Sequence, residues 1–387
     1  MQRQIAQEAG ILTCLCYMGF FFMGTNAVLF PTLLPSIVHD FDLSLTAVAS
    51  VFVYNGAGAL MGGLCAGLGS DRIGRKPFLA LTALLNCSAL ILAATTTLWH
   101  VFVFSFLLVG IGQGAFGTTT NALVMDLSKQ RQGRGLNRLH ASYSLGATLS
   151  PFLVTATFLR FDWHLTLVVP AFFWCVLSIA IITLLPNAKG TTKTQRPSAK
   201  LLGNPLVLRL CLVVFCFNGV GWVLIGWIKK FVQSSDSESG WLSTGMIALF
   251  YVALTIGRLT FSHISDRIGH LKSIQLCALG TVLAYPFVIL SSSLLGVSVG
   301  IFFCGLSLST LFPTALAYGS TLLPEHRGAL AGTMGVAMNF GSMLPPYWTG
   351  YLGDHYGLPF AIRANYALAI ILLIATLLRS KSSEISP

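Results

Sequence analysis

The chain predicts an all-α membrane protein: twelve transmembrane helices in two pseudo-symmetric six-helix lobes. Three observations carry that prediction. Hydrophobic residues make up 55% of the 387 residues and charged residues only 9%, with a mean hydropathy of +0.77. A water-soluble domain needs roughly 25% charged residues, so the solvent of this chain is lipid. The apolar runs are ~20 residues long and do not alternate with period two, which is the length a helix needs to cross hydrocarbon and not the pattern of a barrel strand. The tetrapeptide Asp-Arg-Ile-Gly occurs twice, at Asp71-Arg72-Ile73-Gly74 and Asp266-Arg267-Ile268-Gly269, 195 residues apart. The same offset carries Gly110 onto Gly305, Gly146 onto Gly341 and Pro151 onto Pro346, so one helical unit is present in two copies.

In chain order the spans are expected at about 10–34, 46–69, 77–97, 99–126, 137–159, 163–185, 207–231, 240–264, 272–291, 293–320, 328–352 and 359–379. No cleavage site follows the first run, which is long enough to span, so it reads as a helix and not a signal peptide. The one long connection, 186–206, is basic and contains Pro and Thr; it is the expected cytoplasmic linker between an N-terminal lobe, 1–185, and a C-terminal lobe, 207–387. The other loops are too short for a soluble domain, which argues against a receptor or an enzyme with a globular catalytic part. The net charge of +11 sits in short connections and does not point to nucleic acid. Arg72, Arg75, Lys76, Lys129, Arg131, Arg134, Lys189, Lys193, Arg196, Lys200, Arg267, Lys272, Arg327, Arg379 and Lys381 fall on one side if the spans alternate. By the positive-inside rule that side is cytoplasmic and so are both termini, in a cell (inner) membrane.

Small residues at GxxxG spacing, such as Gly58 and Gly62 or Gly110 and Gly114, let helix backbones approach closely in lipid. Trp99, Trp163, Trp227 and Trp241 lie at the outer ends of spans, where interface anchoring is expected; Trp174, Trp222 and Trp348 lie deeper, where core packing is the default. All nine cysteines fall inside apolar runs without CxxC spacing, and read as small buried apolar residues.

The strongest motif is Gly67-Leu68-Gly69-Ser70-Asp71-Arg72-Ile73-Gly74-Arg75-Lys76, between spans two and three. A carboxylate at Asp71 can cap a neighbouring helix N-terminus and pair with arginines, and Gly74 permits a tight turn into the next helix. The motif resembles the cytoplasmic loop signature of the major facilitator superfamily, and Gly257-Arg258 to Asp266-Arg267-Ile268-Gly269 resembles its weaker C-terminal counterpart. The resemblance covers the whole chain. It implies the major facilitator fold, alternating access, a monomer in the lipid bilayer and no cofactor. It also implies a conformational latch at Gly67, Asp71, Arg72, Gly74 and Arg75, with Arg258, Asp266 and Arg267 in the second copy.

A narrower stretch, Leu136 to Gly146 with Pro151, resembles the fifth-helix pattern of the fucose–galactose–glucose proton symporters and their relatives. Three departures matter. Ser150 stands where antiporters of the superfamily have a second Gly, and the trailing Gly pair is absent, which lowers the drug-exporter reading. Phe106 stands where many proton-coupled members have an Arg. All twelve carboxylates fall in loops or at expected helix ends, so the buried carboxylate that carries the proton in such symporters has no counterpart. His140, about a turn inside span five, is the candidate for any proton coupling, since its unperturbed pKa is ~6.5.

Neutral polar residues fall near the span centres: Asn26, Tyr54, Asn55, Gln113, Asn218, Tyr251 and Asn339, with Trp222 one turn beyond Asn218. An unsatisfied amide in hydrocarbon is costly, so these residues must face protein or a wet cavity. Amides both donate and accept, which matches hydroxyl-rich neutral solutes, and Trp222 can stack on a sugar face. The sequence therefore points to a transporter of a small neutral polar solute, a sugar or polyol, either facilitated or weakly proton-coupled. Two transport rivals remain at this stage: an exporter of lipophilic compounds or lipids, suited by the 27 Phe, and an organic-anion carrier drawing on Arg138 and Arg258. A non-transporting sensor is the reading from another class, and no signalling domain supports it.

Overall fold

The structure is a computed structural model and describes residues 2–127, 132–158, 160–184, 203–235 and 240–378. Most of the expected linker, 186–206, lies outside the described residues, as do the surroundings of Gly67 and the side chains of Asp71, Asp266 and Trp241. Among the described residues every regular element is a helix: α1 (Gln2–Asp40), α2 (Leu45–Ile73), α3 (Arg75–Thr95), α4 (Trp99–Leu127), α5 (Gln132–Phe158), α6 (Trp163–Leu184), α7 (Pro205–Ser235), α8 (Gly240–Ile268), α9 (His270–Leu290), α10 (Leu294–Leu308), α11 (Leu311–Leu322), α12 (Arg327–Tyr356), α13 (Leu358–Ala364) and α14 (Tyr366–Leu377).

Ten stretches of the described residues are long and apolar enough to cross a membrane. The two remaining expected spans are α5 and α12, 27 and 30 residues long, which are diluted by Gly, Pro, Ser and amide residues. They occupy equivalent places in the two repeats. Spans ten and twelve each consist of two helices: α10 and α11 break at Ser309-Thr310, and α13 and α14 break at Asn365. The first break follows from Pro313. A proline at that position has no N–H for the carbonyl of Ser309 and its ring crowds that turn.

The chain divides into two compact units, one of Met1–Leu43 with Ser50–Thr194 and one of Ser44–Ala49 with Gln195–Pro387. Within each, the repeat is visible in the backbone. Gly74 and Gly269 both adopt positive φ, 87° and 89°, immediately before α3 and α9. Only glycine takes that conformation without strain, which explains the repeated Gly of the motif. A Cβ on Gly110 would collide with the carbonyl of Asn55, and one on Gly305 would lie 2.5 Å from the carbonyl of Phe250. Both partners in this pair are displaced by the same 195 residues. Gly146 likewise admits the carbonyl of Phe21, and Gly341 that of Phe215. These contacts are the close helix approaches that small residues allow.

Two tryptophans correct the expectation of interface anchoring. Trp163 and Trp227 are buried inside their units, and each indole N–H has an internal acceptor: Asp40 Oδ2 for Trp163 and the carbonyl of Pro346, at 3.0 Å, for Trp227. Position near a helix end does not distinguish a lipid-facing indole from one turned inward. Trp174 is fully buried as expected, whereas Trp348, expected in the core, is 53% exposed and stacks on Tyr351.

Candidate functional site

The first unit presents its polar residues on α1, α2 and α4. Gly19, Met23, Asn26 and Phe30 follow one another at helical spacing and share one face of α1. That face meets α4: Gly19 is filled by the Phe116 ring, the Met23 Sδ lies 3.6 Å from where a Cβ on Gly117 would sit, and the Phe30 ring is 5.5 Å from Phe106. Lying between Met23 and Phe30, Asn26 therefore comes opposite the stretch of α4 between Phe106 and Gly117, where Gln113 is half-buried. Asn26 is only 6% exposed, and neither its Nδ2 nor its Oδ1 has a hydrogen-bond partner. Asn55 is different, because its Nδ2 donates to the carbonyl of Phe106 at 3.1 Å and ties α2 to α4. Tyr54 is 46% exposed on α2.

In the second unit the amides meet on α7 and α12. Asn218 Nδ2 donates to the carbonyl of Met338 at 2.7 Å, and the adjacent Asn339 donates to the carbonyl of Gly335 at 3.0 Å within its own helix. Trp222 is half-buried one turn beyond Asn218, and Tyr251 is buried on α8. None of these polar residues is duplicated by the repeat. An offset of 195 places Gly221 opposite Asn26, Phe250 opposite Asn55, Leu308 opposite Gln113, Met23 opposite Asn218 and Ser144 opposite Asn339. The repeat thus retains the glycines of the helix contacts and varies these polar residues.

His140 is exposed near the start of α5, with its ring edge-on to Phe20 at 5.5 Å. Of the motif residues, Arg75 is buried at the start of α3 while Arg72 and Arg267 are exposed. Arg258 has a structural partner: its Nε donates to the carbonyl of Ser309 at 3.4 Å. That carbonyl is the one Pro313 deprives of its helical donor. The neighbouring Gly257 makes room for this turn, since a Cβ there would collide with the Ser309 hydroxyl.

Sequence reasoning missed Asp354, in the last turn of α12. Its two carboxylate oxygens accept from the backbone N–H groups of Leu45 and Thr46, each at 2.7 Å. These are the first two residues of α2, whose N–H groups have no intrahelical acceptor. Partial burial raises the pKa of Asp354, but hydrogen bonds from Thr46, Leu45 and Ser44 outweigh it and hold the carboxyl below the usual range. The turn formed by Ser44–Ala49 thereby clusters with the second unit, although the rest of α2 belongs to the first. A lone acidic residue at a helix end was visible in the sequence; its partner, some 300 positions away, was not.

Two units of six spans each, repeated in backbone but not in their polar residues, are the architecture of a multi-pass helical transporter. The chain belongs to the Major Facilitator Superfamily, whose family model matches residues 15–294 and 210–386. It is 23% identical to Bypass of stop codon protein 6 of Saccharomyces cerevisiae, over 89% of this chain and 77% of that protein. It is 21% identical to the Glucose/mannose transporter GlcP of Bacillus subtilis, over 95% of each. The crystal structure of the nucleoside transporter NupG superposes with a TM-score of 0.78 at 13% identity, covering 96% of this chain and 98% of that one.

Proposed function

We propose that this secondary transporter moves a small neutral polar solute, a sugar or polyol, by alternating access. It works as a monomer in a cell (inner) membrane with both termini cytoplasmic. The observation that carries the substrate class is Asn26, a buried amide whose donor and acceptor are both unspent. Such a group is costly to leave unmade, about 1–3 kcal/mol, and a solute hydroxyl can satisfy both halves. Gln113 on the facing stripe of α4 extends the same chemistry. Asn55, Asn218 and Asn339 each have an amide donor engaged, which leaves their carbonyl oxygens as acceptors for solute hydroxyls. Tyr54 in the first unit, and Tyr251 and Trp222 in the second, are the aromatic residues that each unit offers by itself. Apart from Glu8, near the start of α1, the carboxylates of the described helices lie in terminal turns, so no central carboxylate selects a cation. The name of the Bacillus subtilis relative supports a hexose over a lipophilic compound or an organic anion.

The motif residues act as the latch, and His140 supplies whatever proton coupling exists. Purified protein in liposomes tests the reading. Saturable uptake of labelled glucose, competed by mannose or galactose, is expected. Uptake of a hydrophobic dye or a carboxylate, with none of any hexose or polyol, contradicts it.

A further inference from the structure

A groove of about 670 Å³ lies on the second unit between α8, α9 and α14, outside the proposed solute site. Its size is within the ~300–1,000 Å³ range of ligand pockets. Arg267 and Lys272 stand at one end, and Leu276, Leu279, Leu373 and Leu377 form the walls. Lys272 is the third residue of the span His270–Leu290, and Leu377 is the last residue of the span Leu358–Leu377. The cations therefore sit at a membrane boundary and the leucines run inward from it. Lys272, Leu276 and Leu279 are all exposed and recur at helical spacing along one face of α9.

The floor is tied together by hydrogen bonds. Gln275 Nε2 donates to the carbonyl of Thr376 at 3.1 Å, joining α9 to α14. Arg209 Nη2 donates to the same carbonyl at 3.0 Å, and its Nε is buried without a partner. Two cations, Arg267 and Lys272, line the groove, and none of its described lining residues is a carboxylate. The repeat does not require this arrangement: the counterpart of Arg267 is Arg72, but that of Lys272 is Pro77.

We propose that this groove binds one anionic phospholipid, its phosphate held by Arg267 and Lys272 and an acyl chain lying along the four leucines. A basic pocket between helices at a membrane boundary is the expected form of such a site. The charge favours a phosphatidylglycerol over a zwitterionic lipid, and the apolar walls favour a lipid over free phosphate. The test is native mass spectrometry of the delipidated full chain titrated with phosphatidylglycerol, phosphatidylcholine or inorganic phosphate. One phosphatidylglycerol is expected to bind well above the level of phosphatidylcholine. Lys272→Gln should weaken it about fivefold, the contribution of one interfacial cation. Leu279→Trp, which fills the groove and leaves both cations, should weaken it also. Equal binding of the two lipids, unchanged binding in both variants, or inorganic phosphate binding as well as the lipid would each overturn the proposal.

Discussion

The two units differ in how many buried polar atoms they leave without a partner. In the second, side chains are spent on backbone carbonyls that helix breaks and prolines leave without donors. Arg258 serves Ser309, freed by Pro313. The Tyr366 hydroxyl donates to the carbonyl of Val282 at 3.1 Å, which Pro286 leaves free. Tyr285 donates to the carbonyl of Ile362 at 3.0 Å, at the break between α13 and α14. In the first unit, Asn26, Asn86, Thr119, Thr120, Asn121 and Trp174 all have buried polar atoms without a partner, whereas the described residues of the second show only Arg209 Nε and Ser273 Oγ. The second unit uses its polarity to hold bent helices together. The first also leaves several buried polar atoms unspent, which is what the proposed solute site requires.

The sharpest way to break this contrast is to substitute one amide from each side. Asn26→Leu is expected to weaken solute binding at least about 10-fold, a loss of ~1.4 kcal/mol or more, while the melting temperature holds or rises because an unmade amide is removed. Titration calorimetry and a thermal melt on the same sample read both. Arg258→Met should lower stability by about 1–2 kcal/mol by stranding the Ser309 carbonyl, with solute affinity unchanged; a neutral melt would show that the broken helix satisfies itself otherwise. Asp354→Ala removes the acceptor for two N–H groups of α2 and should cost about 1 kcal/mol, in the range of a lost helix cap. Because the folded pKa of Asp354 is lowered, its contribution is fully present above the unfolded value of ~3.9 and fades as pH falls through the folded one; a melt of Asp354→Ala that matches wild type at pH 7 contradicts this. Tyr366→Phe should cost least, about 0.5–1 kcal/mol, because a single neutral hydrogen bond is lost. Outside this stability series, Asp71→Asn tests the latch: transport is expected to slow with solute affinity preserved, and wild-type transport rates would remove Asp71 from that role.

Much of this was legible in the chain because it depends on local chemistry. Gly74 and Gly269 were marked by their place in the repeated motif, and their positive φ is the reason. Membrane helices follow from composition alone. Pro313 was equally visible, but the helix break it brings and the role of Arg258 at Ser309 depend on a neighbouring helix. For the same reason Trp163 and Trp227 were misjudged, since facing lipid or facing inward is decided by packing. The midplane residues could be collected from their depth in the spans. Which of them have hydrogen bonds to spare could not, because Asn26 and Asn218 are the same side chain in two different surroundings.

The central claim, that the first unit keeps Asn26 unspent for the solute, is most directly tested by glucose titration of purified wild-type protein and Asn26→Leu side by side. Saturable binding to wild type and loss of that binding in a variant that melts no lower is the predicted result. Equal affinity in the two proteins would contradict the claim and make Asn26 a tolerated packing defect.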